Sequence, residues 1–142
     1  MKNNLLIFGD SYSTFEGHVP AGYAVYYSDT LHPLSGITKV EQTWWHQVMT
    51  ERNMNLVRND SWSGSTVCYN GYCSHDAAFI HRLHKLIDSG FFRQNPIDTV
   101  FVFGGTNDSW ADAPLGELKF DRFTKEDLSC ALSGISCFLK TL

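Results

Sequence analysis

The sequence lacks an excess of basic residues and has no long apolar run. It contains 11 Lys and Arg against 15 Asp and Glu, which gives a formal net charge of −4. Proteins that bind nucleic acids or anionic membranes need a basic field, so neither partner is expected. No apolar run approaches the roughly 20 residues that a transmembrane helix requires, and the N-terminal apolar run is too short for a secretory signal. We therefore expect a cytoplasmic protein with no membrane span.

The sequence also lacks cysteine pairs, internal repeats and linkers. No CxxC pair or dense cysteine framework occurs, so free thiols are expected. The four cysteines are Cys68, Cys73, Cys130 and Cys137. His81 and His84 lie three residues apart on a predicted helix, but no further ligands are patterned nearby, so no metal site is expected. A length of 142 residues fits a single domain over residues 1–142.

Strand and helix patterns alternate along the chain. Strands are predicted over residues 5–9, 55–59 and 99–103, and helices over 41–54, 76–88 and from 124 onward. This alternation predicts a three-layer α/β/α fold with a parallel sheet, of the flavodoxin-like kind. The first strand is a continuous apolar run, which favours a central position covered on both faces and the strand order 2-1-3.

The last predicted helix carries an apolar stripe. Thr124 is placed to cap its first turn, with Glu126 and Asp127 complementing the helix dipole. We expect the stripe to cover a sheet. It consists of Leu128, Ala131, Leu132, Ile135, Phe138, Leu139 and Leu142.

Polar loops follow each predicted strand, and ligands of open parallel sheets bind beyond the carboxyl ends of the strands. These loops contain Ser11, Gly64 and Asn107. A serine hydroxyl becomes a nucleophile when a base takes its proton, and the resulting oxyanion needs preorganised donors. The backbone N–H groups of Ser11 and Gly64 and the side-chain amide of Asn107 can supply three. The chemistry indicated is acyl transfer to water.

Other residues of these loops have structural or binding interpretations. Asp10 and Asp108 are expected to hold their loops through bonds to backbone N–H groups. Several aromatic side chains are open to two interpretations, plain packing or a platform for a sugar or acyl group. They are Tyr12, Tyr26, Tyr27, Trp62 and Trp110.

Three blocks together resemble the SGNH hydrolases, also called GDSL esterases or lipases. They are Gly9-Asp10-Ser11, the 59–64 stretch ending in Gly64, and Gly105-Thr106-Asn107-Asp108. The resemblance covers roughly residues 5–108. It implies that Ser11 is the nucleophile, that Gly64 and Asn107 complete the oxyanion hole, and that no cofactor or metal takes part.

The chain departs from the family in its general base. The family takes this base from an Asp-x-x-His block after further βα units, whereas this chain has no histidine after His84. We therefore expect a chain that stops before the base and lacks its C-terminal βα units. Three histidines in loops are the alternative candidates for the base. His32 stands in Asp29-Thr30-Leu31-His32, which matches the string but lies in the first long loop, residues 10–39. His18 lies in the same loop and His75 in another, and either could approach the site.

The leading interpretation is a serine ester hydrolase with a small-molecule ester substrate. Small acyl groups, acetyl on a carbohydrate among them, fit a first loop rich in Tyr, Ser and His. Two alternatives stay open. A flavodoxin-like module could cradle a phosphate or flavin with the hydroxyls of Ser11, Ser13 and Thr14, and a pseudoenzyme could bind esters or glycans without turnover.

Overall fold

A computed structural model describes residues 2–70 and 75–142. Cys73 lies outside the described residues. The strands are β1 (Asn4–Gly9), β2 (Asn55–Asn59) and β3 (Thr99–Phe103), and the helices are α1 (Trp44–Glu51), α2 (Phe79–Asp88), α3 (Phe91–Gln94), α4 (Thr106–Trp110) and α5 (Ala131–Thr141). Short 3-10 turns cover Ser11–Ser13, Pro33–Ser35, Val40–Gln42, His75–Ala77 and Asp127–Ser129.

The three strands form a parallel sheet in the order β2-β1-β3. The predicted order and the predicted central strand are both confirmed. Leu5 and Ile7 of β1 lie in a core cluster with Trp45 of α1, while Leu6 and Phe8 on the opposite face of β1 are also fully buried. A strand buried on both faces has to be apolar throughout, which explains the continuous run in its sequence.

Helix α1 is shorter than the predicted 41–54. A 3-10 turn precedes it, and it ends before Asn53, which adopts a left-handed conformation with φ of 52°. The Asn53 N–H donates to the Thr50 carbonyl at 3.1 Å, and the Met54 N–H donates to the Met49 carbonyl at 2.9 Å. This pair of bonds is a Schellman ending with asparagine at the left-handed position.

Helix α5 begins at Ala131, seven residues after the predicted start at Thr124. Thr124 and Asp127 do exchange hydrogen bonds, but Asp127 begins the 3-10 turn Asp127–Ser129, and Cys130 is then extended. The first amides of α5 donate to carbonyls of a distant loop, Ala131 to Pro114 at 2.8 Å and Leu132 to Leu115 at 3.0 Å. These long-range partners fix where the helix starts.

The apolar stripe predicted for the last helix is only partly buried. Phe138 is buried, and Leu128, Ala131 and Leu132 are half-buried. The buried residues of α5 are Ser133, Gly134, Cys137 and Phe138. By contrast Ile135, Leu139 and Leu142 are 37%, 56% and 41% exposed. The reason is a close approach: a Cβ added at Gly134 would lie 2.6 Å from Cys68 Cβ, so a small face of the helix is required there.

Contacts divide the chain into two compact units. The first takes its described residues from Met1–Ser63 and Phe92–Phe103, and the second from Gly64–Phe91 and Gly104–Leu142. The sheet and α1 belong to the first unit, and α2, α4 and α5 belong to the second. The prediction of a single domain stays a prediction. Over residues 2–70 and 75–142, no helix is long and apolar enough to cross a bilayer.

Candidate active site

Ser11 opens the 3-10 turn that follows β1 in the first unit. Asp10, fully buried, accepts a bond from the Tyr12 N–H at 3.2 Å through Oδ1, as its predicted loop-holding role requires. Thr14 Oγ1 donates to the Ser11 carbonyl at 2.7 Å. Within residues 2–70 and 75–142, Ser11 Oγ makes no hydrogen bond, and the residue is half-buried. The turn therefore fixes the backbone of Ser11 and leaves its hydroxyl available.

Asn59, at the end of β2, stabilises the turn Ser11–Ser13 through its side-chain hydrogen bonds. Its side chain is buried, donates through Nδ2 to the Ser13 carbonyl at 2.8 Å and accepts from Ser61 Oγ at 2.6 Å. Gly9 must be glycine here, because an added Cβ would lie 2.3 Å from Ser13 Cβ and 2.5 Å from Ser61 Oγ. The ends of β1 and β2 are thus joined through side chains as well as through the sheet.

Gly64 and Asn107 are brought together in the second unit. Gly64 has a φ of 81°, a left-handed conformation that glycine adopts without steric cost. Asn107, near the start of α4, is buried and donates through Nδ2 to the carbonyl of Ser65, the residue after Gly64, at 2.9 Å. A primary amide has two N–H groups, so one bond to Ser65 orients the amide and leaves a second N–H to donate.

Asp108 fixes the backbone that follows Ser65. Its carboxylate is buried and accepts from the backbone N–H groups of Val67 and Cys68 at 2.8 and 3.0 Å. The sequence predicts that Asp108 holds its own loop, but its carboxylate instead holds the loop after β2. Burial, followed by the bond to Asp108, raises the pKa of the Cys68 thiol to about 12.

Arg82 of α2 is a buried cation beside the same segment. It donates from Nε to the Ala77 carbonyl at 2.7 Å and from Nη2 to Ser65 Oγ at 3.2 Å, and its guanidinium lies 4.6 Å from the Phe79 ring centroid. Ser65 is therefore held through its carbonyl by Asn107 and through its hydroxyl by Arg82. A planar group with five donors suits such a buried position.

The candidate base residues occupy separate environments. His32 stacks on Tyr26 at 4.0 Å, and no hydrogen bond or ion pair within the described part of the chain joins it to Asp29. His18 packs edge-on against Phe15, and His75 stacks on Tyr69. The Asp29–His32 string match therefore does not form an acid–base pair in this structure.

His81 and His84 lie on α2 in different surroundings. His81 is half-buried and faces Asp76 at 3.3 Å, and burial and the nearby Lys85 lower its pKa while Asp76 opposes that shift. His84 is exposed. Within residues 2–70 and 75–142, no cluster of three or more His, Cys, Asp or Glu side chains could hold a metal ion. Cys68, Cys130 and Cys137 are free thiols.

The hydroxyls expected to cradle a phosphate are already engaged. Ser13 and Thr14 are fully buried. Ser13 Oγ accepts from Trp44 Nε1 at 3.1 Å, and Thr14 Oγ1 lies between the Ser11 carbonyl and the Tyr26 N–H. The flavodoxin-like alternative therefore loses two of its three hydroxyl ligands.

Trp62 and Trp110, for which the sequence allows either packing or a ligand platform, differ in their exposure to solvent. Trp62 is half-buried against Tyr23, with ring centroids 4.2 Å apart, whereas Trp110 at the end of α4 is 68% exposed. Sequence reasoning missed the supporting roles of Asn59 and Arg82, because their partners Ser13 and Ser65 lie 46 and 17 residues away along the chain.

Comparison with known proteins gives one family and two solved structures. The sequence model described as GDSL-like Lipase/Acylhydrolase matches residues 3–142. A GDSL-like lipase from Bacteroides ovatus ATCC 8483 is 37% identical, with a TM-score of 0.85 over 98% of this chain and 65% of that one. A GDSL-like lipase from Bacteroides uniformis ATCC 8492 is 40% identical, with a TM-score of 0.78 over 97% of this chain and 63% of that one.

This chain thus spans slightly less than two thirds of the length of these solved relatives. None of the curated proteins compared with it matches. The similarities confirm the predicted parallel α/β fold class.

Proposed function

The chain belongs to the GDSL-like lipase/acylhydrolase family, and on that premise we propose that it is a serine ester hydrolase with Ser11 as its nucleophile. The family match over residues 3–142 carries the proposal. Ser11, Gly64 and Asn107 each follow the carboxyl end of a different parallel strand, which is where ligands of such sheets bind.

In the proposed reaction Ser11 Oγ attacks the ester carbonyl carbon and gives its proton to a base. The tetrahedral intermediate carries a negative oxygen, for which the N–H groups of Ser11 and Gly64 and the Asn107 amide are the proposed donors. The C–O bond to the alcohol then breaks, and the alcohol leaves with a proton. Water attacks the acyl-enzyme, releases the acid and returns the proton to Ser11.

Support for the oxyanion donors comes from their rigid settings. The Asn107 amide is oriented by the Ser65 carbonyl, and the Ser65 side chain is in turn bonded to buried Arg82. Donors that do not reorganise as charge develops are the ones that lower the barrier. No base is assigned within this chain, because His32, the histidine of its Asp-x-x-His string, is stacked on Tyr26 and unpaired with Asp29.

The proposed substrates are small acyl esters, acetyl esters of carbohydrates among them. The first loop near Ser11 presents tyrosine, serine and histidine side chains. A long acyl chain would need an extended apolar groove, and this loop carries no long apolar stripe.

Fluorophosphonate labelling tests the nucleophile without knowledge of the natural substrate. The adduct should form on Ser11 and be absent from Ser11→Ala, while Ser109→Ala, the same change at an exposed serine, should label like the parent. Without an assigned base the labelling should be slow, since oxyanion donors and binding alone retain only part of the catalysis. Equal labelling of Ser11→Ala, or no adduct after prolonged incubation, would contradict the proposal.

A further inference from the structure

The first long loop forms a cleft beside the turn that carries Ser11. The cleft measures about 530 Å³, within the roughly 300–1,000 Å³ typical of small-molecule pockets. It is lined by Tyr26, His32, Pro33, Leu34 and Ser35. Its wall is a stack of two rings, Tyr26 and His32, whose centroids lie 4.0 Å apart at an interplanar angle of 16°.

This wall is attached to the Ser11 turn by direct bonds. Thr14 Oγ1 donates to the Ser11 carbonyl at 2.7 Å and accepts from the Tyr26 N–H at 2.8 Å. The Tyr12 ring, next to Ser11 in sequence, meets the Tyr26 ring edge-on at 6.0 Å. A ligand resting on the wall would therefore be held at a fixed position relative to the nucleophile.

His32 is the outer ring of the stack, and hydrogen bonds and a turn fix the backbone around it. His32 adopts a left-handed conformation with φ of 51° at the start of the turn Pro33–Ser35. Buried Ser28 holds the preceding segment, because its Oγ accepts from the N–H groups of Thr30 and Leu31 at 3.1 and 2.8 Å. His32 is exposed although Tyr26 covers one of its faces, so its other side is open to a ligand.

The lining combines ring faces with neutral polar groups and has no Asp, Glu, Lys or Arg. Ser35 Oγ accepts from the Ile37 N–H, so its own proton is available to a ligand oxygen. Ring faces attract the positively polarised edges of a neighbouring group, such as the C–H groups of a sugar ring. Hydroxyls around that ring can bond to the Ser35 hydroxyl and the imidazole nitrogens.

We propose that this cleft is a carbohydrate subsite, in which the sugar of an acylated carbohydrate lies on the Tyr26–His32 stack while its ester reaches Ser11. The inference deepens the proposed hydrolase function and rests on it. Tyr26 and His32 are then specificity-determining residues that contact the alcohol part of the substrate.

Titration with unacylated methyl glycosides of glucose, galactose and xylose, followed by NMR, tests the subsite without requiring turnover. The full chain should bind at least one of them, with shifts at the amides of Tyr26, His32 and Ser35. His32→Asn removes the ring but keeps a residue that tolerates the left-handed backbone. It should weaken binding about threefold to tenfold, the range that ring stacking supplies.

A variant outside the cleft serves as the control. His46→Ala makes a comparable change on α1, away from the cleft lining, and should leave binding unchanged. Unchanged affinity in His32→Asn, shifts confined to other regions, or no binding of any glycoside would overturn the subsite.

The labelling experiment separates this inference from the proposed function. Adduct formation on Ser11 without glycoside binding leaves the hydrolase and removes the subsite. Glycoside binding at the stack without any Ser11 adduct removes the hydrolase and leaves a carbohydrate-binding cleft.

Discussion

At the scale of single residues, Asn59 connects the end of β2 to the backbone of the Ser11 turn. Its amide uses both ends, since Nδ2 donates to the Ser13 carbonyl and Oδ1 accepts from Ser61. A carboxylate of the same shape cannot donate, so it would place a negative oxygen against a carbonyl oxygen. The substitution Asn59→Asp replaces the donating Nδ2 by an oxygen, and it therefore tests the role of the bond from Asn59 to the Ser13 carbonyl.

We predict that Asn59→Asp lowers the free energy of unfolding by about 3 kcal/mol, because a buried acceptor loses its donor and an unpaired charge is buried. Displacement of the turn should also slow fluorophosphonate labelling of Ser11 by roughly tenfold to a hundredfold. Urea unfolding and labelling kinetics measure the two effects. Asn55→Asp, an exposed change at the other end of β2, should alter stability by no more than about 0.5 kcal/mol. Equal behaviour of the two variants would contradict the role given to Asn59.

The sequence identifies residues of the candidate site only where short motifs carry them. Ser11, Gly64 and Asn107 stand in local blocks, so strand-end reasoning selects them. Asn59 could not be selected as a support, because its partner Ser13 lies 46 residues away. From its position on an amphipathic helix, Arg82 would be expected to be a surface cation. Only the structure shows that it is buried and bonded to Ser65.

At the scale of elements, the three longer helices α1, α2 and α5 were predictable, whereas their starts and the short helices α3 and α4 were not. Strands β2 and β3 have their predicted bounds, whereas α2 and α5 begin later than their apolar patterns indicate. In both helices a starting amide donates to another loop, Phe79 to the Thr66 carbonyl at 2.9 Å and Ala131 to the Pro114 carbonyl at 2.8 Å. Such tertiary partners for the open N–H groups of a helix leave no local trace in the sequence.

The turn before α5 contains a titratable capping residue. Asp127 Oδ2 accepts from Lys119 Nζ at 2.7 Å and from the Thr124 N–H at 2.8 Å. The bond from Lys119, followed by the bond from Thr124, lowers the pKa of the Asp127 carboxyl. A group with a lowered pKa stabilises the folded chain above its unfolded pKa, about 3.9 for aspartate, and loses that contribution as pH falls through the folded value.

We predict that Asp127→Asn is less stable than the parent chain at neutral pH, and that the difference is lost progressively as the pH falls below about 3.9 and through the lowered pKa of folded Asp127. Urea unfolding across this range measures it. Asp121→Asn, a change at an exposed aspartate close in sequence, is the control and should match the parent in stability at neutral pH. A difference that is constant with pH, or that grows in acid, would show that the charge of Asp127 does not act in this way.

At the scale of the whole molecule, sequence pattern was sufficient for the class of sheet and its strand order. The alternation of strands and helices implies parallel pairing, and the apolar first strand implies a central place. The assignment of residues to two compact units was not predictable, since each unit combines two separate stretches of chain. The buried face of α5 was not predictable either, because a close approach to Cys68 outweighs its apolar stripe.

The alkylation rate of the Cys68 thiol measures how often the second unit opens locally and exposes this side chain. Its thiol is buried, and with a pKa of about 12 only about one in ten thousand such groups is ionised at pH 8. We predict that iodoacetamide modifies Cys68 far more slowly than the partly exposed Cys130, and that sub-denaturing urea accelerates only the slow reaction. Peptide mass spectrometry resolves the two sites. Equal rates in native buffer would contradict the burial of Cys68.

The slow alkylation of the Cys68 thiol also provides an assay for ligand binding. The Cys68 amide is held by Asp108, the chain neighbour of Asn107, so opening of this segment releases the backbone beside the proposed oxyanion donors. A compound that binds the closed form lowers the population of the open form in proportion to its occupancy and affinity. Protection of Cys68 from alkylation would then rank ester analogues and transition-state mimics by binding alone, before any natural substrate is identified or any turnover is observed.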